Sequence, residues 1–240
     1  MQTLDKFLGG KVLLAQSEKG LHATSDSVLL AAAVPIKKGE TLLDVGAGNG
    51  VIGLCVNARK KCAITAVECQ EKLVQMIQEN ARLNRVEIEV IRHNLFNLKD
   101  FIKGRLFQHV VTNPPFYDHT GKGRKSAEQC LAYRAEFDLK KWINYCLKHL
   151  KSSGTFTMIH RPEMLGEILS VLNLKLGAIE IFPIQTKLNQ PAKRVIVRGV
   201  LGSRTPLKLY PPLVMHNPDG TRSELAENIL RKGQAISFCA

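Results

Sequence analysis

Residues 41–50 read TLLDVGAGNG, an apolar run of strand length that opens into alternating glycines. A short apolar run closed by such a turn is typical of a buried parallel strand. A second run of this kind, FQHVVT at 107–112, ends in NPPF at 113–116. In a doubly wound sheet, ligands bind beyond the carboxyl ends of the strands, where strand order reverses. The glycine loop and the NPPF turn are therefore predicted to face each other across one crevice.

Strand-like and helix-like stretches alternate along the chain, which predicts βαβ units and a parallel sheet covered on both faces. The predicted strands are 41–46, 62–68, 87–92, 107–112, 153–160, 177–183 and 193–200. The predicted helices are 50–59, 70–84, 138–151 and 162–175. No helix separates the last two strands, so they are expected to form an antiparallel hairpin at a sheet edge. The predicted fold class is α/β, with a doubly wound, mostly parallel seven-stranded sheet and an antiparallel edge strand.

The chain has 240 residues, which suits one domain, since domains run to roughly 100–200 residues. We expect residues 1–40 to form an extension packed on the core, 41–200 the core itself and 201–240 a basic C-terminal segment. Within the extension, residues 12–34 are predicted to form a strand followed by a helix. Ser25 or Asp26 is the expected cap of that helix.

Composition and residue spacing argue against a disulfide-bonded, metal-binding, membrane-spanning or secreted protein. The hydrophobic content is 45%, as in globular proteins, and the six cysteines show no C-x-x-C pair. The seven histidines share no metal-ligand spacing, so no metal site is predicted. No apolar stretch reaches the roughly 18 residues that span a bilayer, and the first 20 residues lack a signal-peptide core. These features predict a cytoplasmic protein with reduced cysteines.

The formal net charge of +13 is the compositional outlier. Residues 184–240 carry nine Lys or Arg against three Asp or Glu, a net charge of +6. Such a concentration of positive charge is typical of nucleic-acid binding, although solubility alone is the simpler explanation. Two groups of cations are the candidate RNA contacts, and for the second group a solvated loop is the alternative. The first comprises Lys193, Arg194 and Arg198, and the second lies in the predicted loop 117–136 and comprises Lys122, Arg124, Lys125 and Arg134.

The glycine loop permits two interpretations. GNGVIG at 48–53 matches the G-x-G-x-x-G fingerprint of nicotinamide or flavin enzymes. The fuller pattern, with Asp44 at the strand end and glycines at alternate positions, suits a methionine-type ligand, whose ammonium Asp44 can meet directly or through water. Glu68 ends the next strand and can accept both hydroxyls of a ribose. The candidate cofactor-binding residues of this region are Asp44, Gly46, Ala47, Gly48, Gly50 and Glu68.

Asn94 and Leu95 follow the third strand of the predicted sheet. The amide of Asn94 could bond an adenine amino edge while Leu95 packs on the ring. An ordinary asparagine in a turn is the alternative.

The NPPF turn offers the groups that methylation of a planar nitrogen requires. The lone pair of such a nitrogen is delocalised, so the enzyme must accept hydrogen bonds from both N–H groups to direct it at the methyl. Asn113 Oδ1 and the Pro114 carbonyl are the predicted acceptors, and the Pro114-Pro115 backbone is stiff. Phe116 offers a face on which a planar substrate stacks. Asn113 is assigned to the cofactor site as well as to catalysis.

The combination of residues 44–50, Glu68 and residues 113–116 resembles class I methyltransferases that use S-adenosylmethionine to methylate planar exocyclic or amide nitrogens. Within that class, the whole chain resembles the bacterial tRNA1(Val) adenine-N6-methyltransferases, which modify adenine beside the anticodon. Looser similarity lies in SDSVLLA at 25–31, QPAKRV at 190–195 and NPDG at 217–220. The resemblance implies a Rossmann-like fold, S-adenosylmethionine as cofactor and tRNA as partner. The chain departs from it at Asn94, where such families often carry an acidic residue.

Several alternatives stay open at this point. The same tetrapeptide serves enzymes that methylate a release-factor glutamine, but those carry a separate N-terminal helical domain, for which 40 residues are too few. Guanine-N2 methylation of ribosomal RNA uses similar chemistry. An RNA-binding protein with an inactive methyltransferase fold would not need Asp44, Glu68 and Asn113, and a nicotinamide oxidoreductase would not need NPPF. The oligomeric state, monomer or homodimer, is also open.

Overall fold

The N-terminal segment forms an antiparallel hairpin of β1 (Gln2–Phe7) and β2 (Val12–Ser17). Side-chain amides of a later helix bind the free edge of β2: Asn80 Oδ1 accepts from Ala15 N at 2.7 Å and Asn84 Oδ1 from Leu13 N at 2.8 Å. The hairpin is thereby fixed to the body of the protein. The computed structural model describes residues 2–17, 22–94, 102, 104–116 and 137–237.

Helix α1 (Ser25–Ala33) follows the hairpin and is buried from Ser27 onward. The predicted cap is wrong. Thr24 occupies the N-cap position, and Ser25 and Asp26 lie inside the first helical turn, where a side chain no longer reaches back to cap the helix. An acidic residue in that turn still favours the helix through the positive end of its dipole.

Seven strands form the body of the central sheet. They are β3 (Thr41–Val45), β4 (Ala63–Glu68), β5 (Ile88–Arg92), β6 (Phe107–Thr112), β7 (Leu150–His160), β8 (Leu176–Lys187) and β9 (Arg194–Leu201). Their order is β8-β9-β7-β6-β3-β4-β5, and β9 runs antiparallel to both of its neighbours. The predicted α/β class, the mostly parallel sheet and the antiparallel hairpin at its edge are confirmed.

Two short strands widen the sheet beyond the seven that the sequence predicts. They are β10 (Lys208–Leu209) and β11 (Leu213–His216), and both pair with β8 in parallel. They are too short and too close to prolines for a periodicity to appear. A second difference lies at residues 150–151, which were predicted as the end of a helix but belong to β7. Leu150 pairs there with Phe107 across an irregular register.

Helices cover both faces of the sheet. They include α2 (Val51–Arg59), α3 (Glu71–Leu83), α4 (Leu139–Lys148), α5 (Leu165–Leu172) after a 3-10 turn at 162–164, and α6 (Glu224–Glu227), which continues as a π-helical turn over 228–232. One core cluster joins α1 and α2 to the sheet, and a second joins α4 and α5 to the opposite face. Within the described residues, none of the helices combines the length and apolarity needed to cross a bilayer.

Strand order reverses at β3, which pairs with β4 on one side and β6 on the other. Val45 lies opposite Thr112, so the glycine loop and the NPPF turn leave the sheet side by side. This is the crevice that the two motifs predict.

Candidate active site

The loop after β3 is shaped by glycines. Gly46, Gly48 and Gly50 have φ angles of 72°, 60° and 83°, in the left-handed region that side chains disfavour. The amides of Gly46 and Ala47 donate to the carbonyl of Val67 at 2.9 and 3.0 Å, which ties the loop to the end of β4. The loop therefore presents bare backbone at the sheet edge and begins α2 immediately afterwards.

Glu68 ends β4 and is 5% exposed. Its Oε2 accepts from the amide of Gly48 at 3.0 Å, and its Oε1 accepts from the amides of Cys69 and Gln70 at 2.8 and 2.9 Å. A carboxylate offers about four lone-pair positions, so three backbone donors orient Glu68 without exhausting it. It can still accept from a ligand hydroxyl.

Asp44 lies in the same crevice but has fewer hydrogen bonds than Glu68. Its side chain is 1% exposed, and neither carboxylate oxygen has a hydrogen-bond partner within the described part of the chain. Burial, with a smaller effect from the charge of Glu68, raises the pKa of Asp44 to about 7, while the nearby Gly53 amide opposes the rise. A buried carboxylate with so little hydrogen bonding is costly to the fold, which indicates a place for a cationic or hydrogen-bonding ligand.

Asn94 lies two residues beyond the end of β5 and is partly buried. The amide of His93 donates to the Glu68 carbonyl at 3.0 Å, so this segment runs beside the end of β4. That position is compatible with the predicted contact to an adenine ring. Leu95, its predicted partner, lies outside the described residues.

The NPPF turn continues β6. Asn113 Oδ1 is buried and has no hydrogen-bond donor among the described residues. Pro114 is buried, Pro115 is exposed and Phe116 is partly buried. An amide oxygen that is removed from water without a donor costs about 1–3 kcal/mol, so this oxygen is available to accept a hydrogen bond.

Trp142 of α4 supports both loops, a role that the sequence analysis missed. Its Nε1–H donates to Thr112 Oγ1 at 2.9 Å, and that hydroxyl donates to the Val45 carbonyl at 2.8 Å. The same indole packs on the glycine loop, where a Cβ added at Gly46 would lie 2.8 Å from Trp142 Cζ2. A glycine is therefore required at 46 by space as well as by conformation.

Asn80 of α3 is a second support that the sequence analysis missed. Its Nδ2 donates to the Asn49 carbonyl at 3.0 Å, which fixes the glycine loop from below. Asn49 in turn donates from its amide nitrogen to Gln16 Oε1 of β2 at 3.1 Å. The available signal was the i, i+4 pair Asn80 and Asn84 in an amphipathic helix, where buried amides are uncommon.

Phe116 contacts groups from two other strands. The His160 ring at the end of β7 is perpendicular to it, at 85° and 4.9 Å between centroids. The Arg194 guanidinium of β9 lies 4.8 Å from the centre of the Phe116 ring. Burial and the neighbouring charges of Arg161 and Arg194 lower the pKa of His160 to about 4, so its imidazole is neutral at physiological pH.

The candidate RNA contacts have different surroundings. Lys193 is exposed, whereas the side chain of Arg194 is 29% exposed and is paired with Asp26 at 2.7 Å. Arg198 is 14% exposed, pairs with Glu180 at 2.5 Å and donates to the Ala33 carbonyl at 3.0 Å. These contacts make Arg198 a structural residue of the sheet rather than an open phosphate ligand. The other candidates, Lys122, Arg124, Lys125 and Arg134, lie outside the described residues, as does the whole predicted loop 117–136.

The residues present fit S-adenosylmethionine, the cofactor that the resemblance implies. Asp44 suits the ammonium of a methionine moiety, Glu68 suits a ribose diol, and the glycine loop allows backbone to approach closely. No group of His, Cys, Asp or Glu side chains suited to a metal ion occurs in the described part of the chain.

The chain is similar to several known methyltransferases. A family model described as methyltransferase small domain matches residues 17–188. A tRNA1(Val) (adenine(37)-N6)-methyltransferase of Shewanella halifaxensis is 24% identical over 188 residues, which cover 76% of each chain. A relative of the same description from Aeromonas hydrophila is 25% identical over 205 residues, covering 83% of this chain and 84% of that one.

A solved structure supports the fold independently. A predicted O-methyltransferase from Agrobacterium tumefaciens matches with a TM-score of 0.73 at 24% sequence identity, covering 88% of this chain and 98% of that one. Together, the family model and the named relatives confirm the resemblance that the two motifs predict.

Proposed function

The chain belongs to the methyltransferase small domain family, and on that premise we propose that it transfers a methyl group from S-adenosylmethionine to N6 of an adenine in RNA. The observation that carries the proposal is Asn113 Oδ1, which is buried, has no hydrogen-bond donor among the described residues and follows the strand that pairs with β3 before the glycine loop. The substrate that we propose is the anticodon loop of a tRNA, the class of RNA in the names of the relatives.

Residues on three strand ends hold the cofactor in this proposal. Asp44 receives the ammonium, Glu68 the ribose hydroxyls and the backbone of residues 46–50 the methionine portion, while Asn94 and Leu95 border the adenine. When bound, the cofactor supplies an electrophilic methyl group on a sulfonium. Ion pairing with the ammonium would compensate the burial of the Asp44 carboxylate.

The NPPF turn prepares the acceptor nitrogen. Asn113 Oδ1 and the Pro114 carbonyl each accept one N6 hydrogen, which draws the nitrogen toward tetrahedral geometry and directs its lone pair. Preorganised acceptors of this kind act in the transition state without the cost of reorganising water. A strong base is not required, because the N6 proton becomes acidic only as the methyl is transferred. Phe116 supplies the face on which the base stacks.

An amino group inside a duplex cannot reach a pocket at strand ends, so the target adenine must be unpaired or flipped out, at a cost of a few kcal/mol. An anticodon loop presents unpaired bases on a stem whose phosphates suit a protein of net charge +13. Lys193 is our candidate phosphate contact, because it is exposed and adjoins Arg194 near Phe116.

The alternatives share the cofactor and differ in the acceptor. A guanine amino group or a glutamine amide also offers two N–H groups to Asn113 and Pro114. The names of the relatives favour adenine over both. An inactive RNA-binding protein would gain nothing from the buried Asp44 carboxylate or from an Asn113 amide oxygen that has no donor among the described residues.

The compartment that we propose is the cytoplasm. Cys55, Cys62, Cys69 and Cys146 are free thiols. Burial raises the pKa of Cys62 to about 11 and of Cys55 to about 12, which keeps both protonated and unreactive.

We further propose that the chain is one domain. Light scattering distinguishes the monomer from the homodimer.

The decisive experiment is methyl transfer from labelled cofactor to unmodified tRNA, followed by nucleoside mass spectrometry. We expect N6-methyladenosine from a single anticodon-loop position, with ribosomal RNA and a release factor as matched acceptors that stay unlabelled. Label in N2-methylguanosine, or on a glutamine, would overturn the acceptor. Failure of S-adenosylmethionine to bind, or tighter binding of NAD, would overturn the enzyme class.

A further inference from the structure

Arg194 and Asp26 form an ion pair that joins opposite ends of the chain beside the NPPF turn. Arg194 Nε donates to Asp26 Oδ2 at 2.7 Å, and the two side chains are 29% and 15% exposed. Asp26 comes from the first turn of α1, while Arg194 begins β9. Charge-assisted bonds of this length and burial fix side-chain geometry more firmly than an exposed pair does.

The same guanidinium is also fixed from a second direction. Arg194 Nη1 donates to the Lys193 carbonyl at 2.7 Å, and Cζ lies 4.8 Å from the centre of the Phe116 ring. A planar guanidinium over an aromatic face is a favourable cation–π contact, which a lysine ammonium does not reproduce with the same stacking geometry. His160 completes the surroundings of Phe116 with its perpendicular ring.

We infer that Asp26 and Arg194 are positioning residues for Phe116, holding its ring in the plane that the target base stacks upon. The inference rests on the proposed function, because it assigns the stacking surface of that site. It reassigns both residues: Arg194 acts on the base pocket rather than on the RNA backbone, and Asp26 acts through Arg194 rather than as a helix cap.

The electrostatic alternative predicts a different effect on the rate of methyl transfer, which makes the inference testable. If Arg194 served only to attract phosphate, removing the carboxylate of Asp26 would free its charge and tighten RNA binding without slowing the reaction. If the pair positions Phe116, the same change leaves RNA affinity equal or greater but slows methyl transfer. Misplacement of a reacting group by about 1 Å can cost on the order of 10²-fold in rate.

The test compares Asp26→Ala, Asp26→Asn and Arg194→Lys under single-turnover conditions with saturating tRNA and cofactor. We expect the transfer rate to fall about 10–10²-fold in Asp26→Ala and Arg194→Lys, with Asp26→Asn between them and the wild type. Glu89→Ala is the matched control. Glu89 lies on the edge strand β5, and its replacement breaks an ion pair with Arg105 and removes one negative charge, as Asp26→Ala does. The control should keep the wild-type rate.

A second readout needs no substrate. Protein labelled with 4-fluorophenylalanine should give a Phe116 signal, assigned with Phe116→Leu, that moves in Asp26→Ala and stays in Glu89→Ala. A signal that does not move, or a wild-type saturating rate in Asp26→Ala, would overturn the positioning role. Should the wild type methylate no tRNA while the Phe116 signal still responds to Asp26→Ala, the positioning contact stands and the proposed substrate is rejected. The two failures are thus distinguishable.

Discussion

Trp142 Nε1 and Thr112 Oγ1 lie 2.9 Å apart, and through this bond one indole links both loops of the candidate site. The Thr112 hydroxyl also donates to the Val45 carbonyl at 2.8 Å, so its hydrogen and one of its lone pairs are both in hydrogen bonds. Because the indole also packs on Gly46, the end of β6 and the glycine loop cannot move independently. Substrate and cofactor would therefore be held in one fixed frame.

Thr112→Val should destabilise the protein, although the valine side chain has nearly the same shape as that of threonine. The substitution leaves the Trp142 Nε1–H and the Val45 carbonyl without their partner, which costs about 1–3 kcal/mol for each buried group left unsatisfied. Chemical denaturation measures the free energy of unfolding. The control is Thr157→Val on the adjacent strand β7, where the buried hydroxyl has no partner within the described residues. That change should be neutral or stabilising, and equal losses in both variants would contradict the assigned role of the Thr112 hydroxyl.

Asp44→Asn should stabilise the cofactor-free protein at pH 8 while weakening cofactor binding. Burial raises the pKa of Asp44 from 3.8 to about 7, so the folded state favours the protonated carboxyl. Ionisation of Asp44 therefore lowers the free energy of unfolding. The full stability is present below pH 4, where the group is protonated, and is lost as the pH rises through about 7. Asparagine carries no such pH dependence. The gain in melting temperature over the wild type should therefore be larger at pH 8 than at pH 5.

Asp219→Asn is a suitable control for that experiment, because this exposed carboxylate has a lowered pKa through its bonds to Thr221. It should show no gain at pH 8. Cofactor affinity of the wild type should also increase from pH 6 to pH 8, since the ionised carboxylate is the form that binds an ammonium. A stability loss in Asp44→Asn at pH 8 would mean that Asp44 serves the fold rather than a ligand.

The main features of the site could be predicted from sequence because they depend on local patterns. Residues 41–50 and 107–116 each contain a strand and the turn that follows it. The carboxyl ends of neighbouring parallel strands must meet at one edge. The pairing of Val45 with Thr112 confirms that arrangement. The sheet was predicted for the same reason, apart from β10 and β11.

The supports of the site could not be predicted in this way, because their partners are distant in sequence. Trp142 reaches Thr112 across 30 residues and Arg194 reaches Asp26 across 168. A tryptophan in an amphipathic helix predicts burial, but not which loop it touches. Arg198 shows the same limit: a cation in a basic segment predicts an RNA contact, whereas Glu180 on the paired strand forms an ion pair with it. Composition records charge, and only the fold records whether that charge is already paired.

The salt dependence of RNA binding should identify Lys193 as a phosphate contact. Each phosphate neutralised by a lysine releases counterions, so Lys193→Ala should reduce the slope of log K against log salt by about 0.7–0.9. Lys60→Ala is the matched control, because Lys60 follows α2 at the end opposite the glycine loop. Filter binding at several salt concentrations measures both slopes. Equal reductions would show that the protein attracts RNA by its overall charge and not through Lys193.

Asn113→Ala should separate catalysis from cofactor binding. The variant removes one buried acceptor from the reacting nitrogen, and the loss of one preorganised polar group at a reacting centre lowers turnover by roughly 10²–10³-fold. Affinity for S-adenosylmethionine should stay near that of the wild type, because Asp44, Glu68 and the glycine loop are unchanged. Calorimetry measures the affinity and single-turnover transfer to tRNA measures the rate.

Asn144→Ala provides the matched amide control, since Asn144 is a partly buried residue of α4 whose side chain bonds to Lys140 and Lys175. It should keep the wild-type rate. If Asn113→Ala transferred methyl groups as fast as the wild type, the unpaired Oδ1 would have no part in the reaction. The Pro114 carbonyl would then have to orient the nitrogen alone, and because a backbone carbonyl accepts from only one N6 hydrogen at a time, the mechanism derived from the NPPF turn would be wrong.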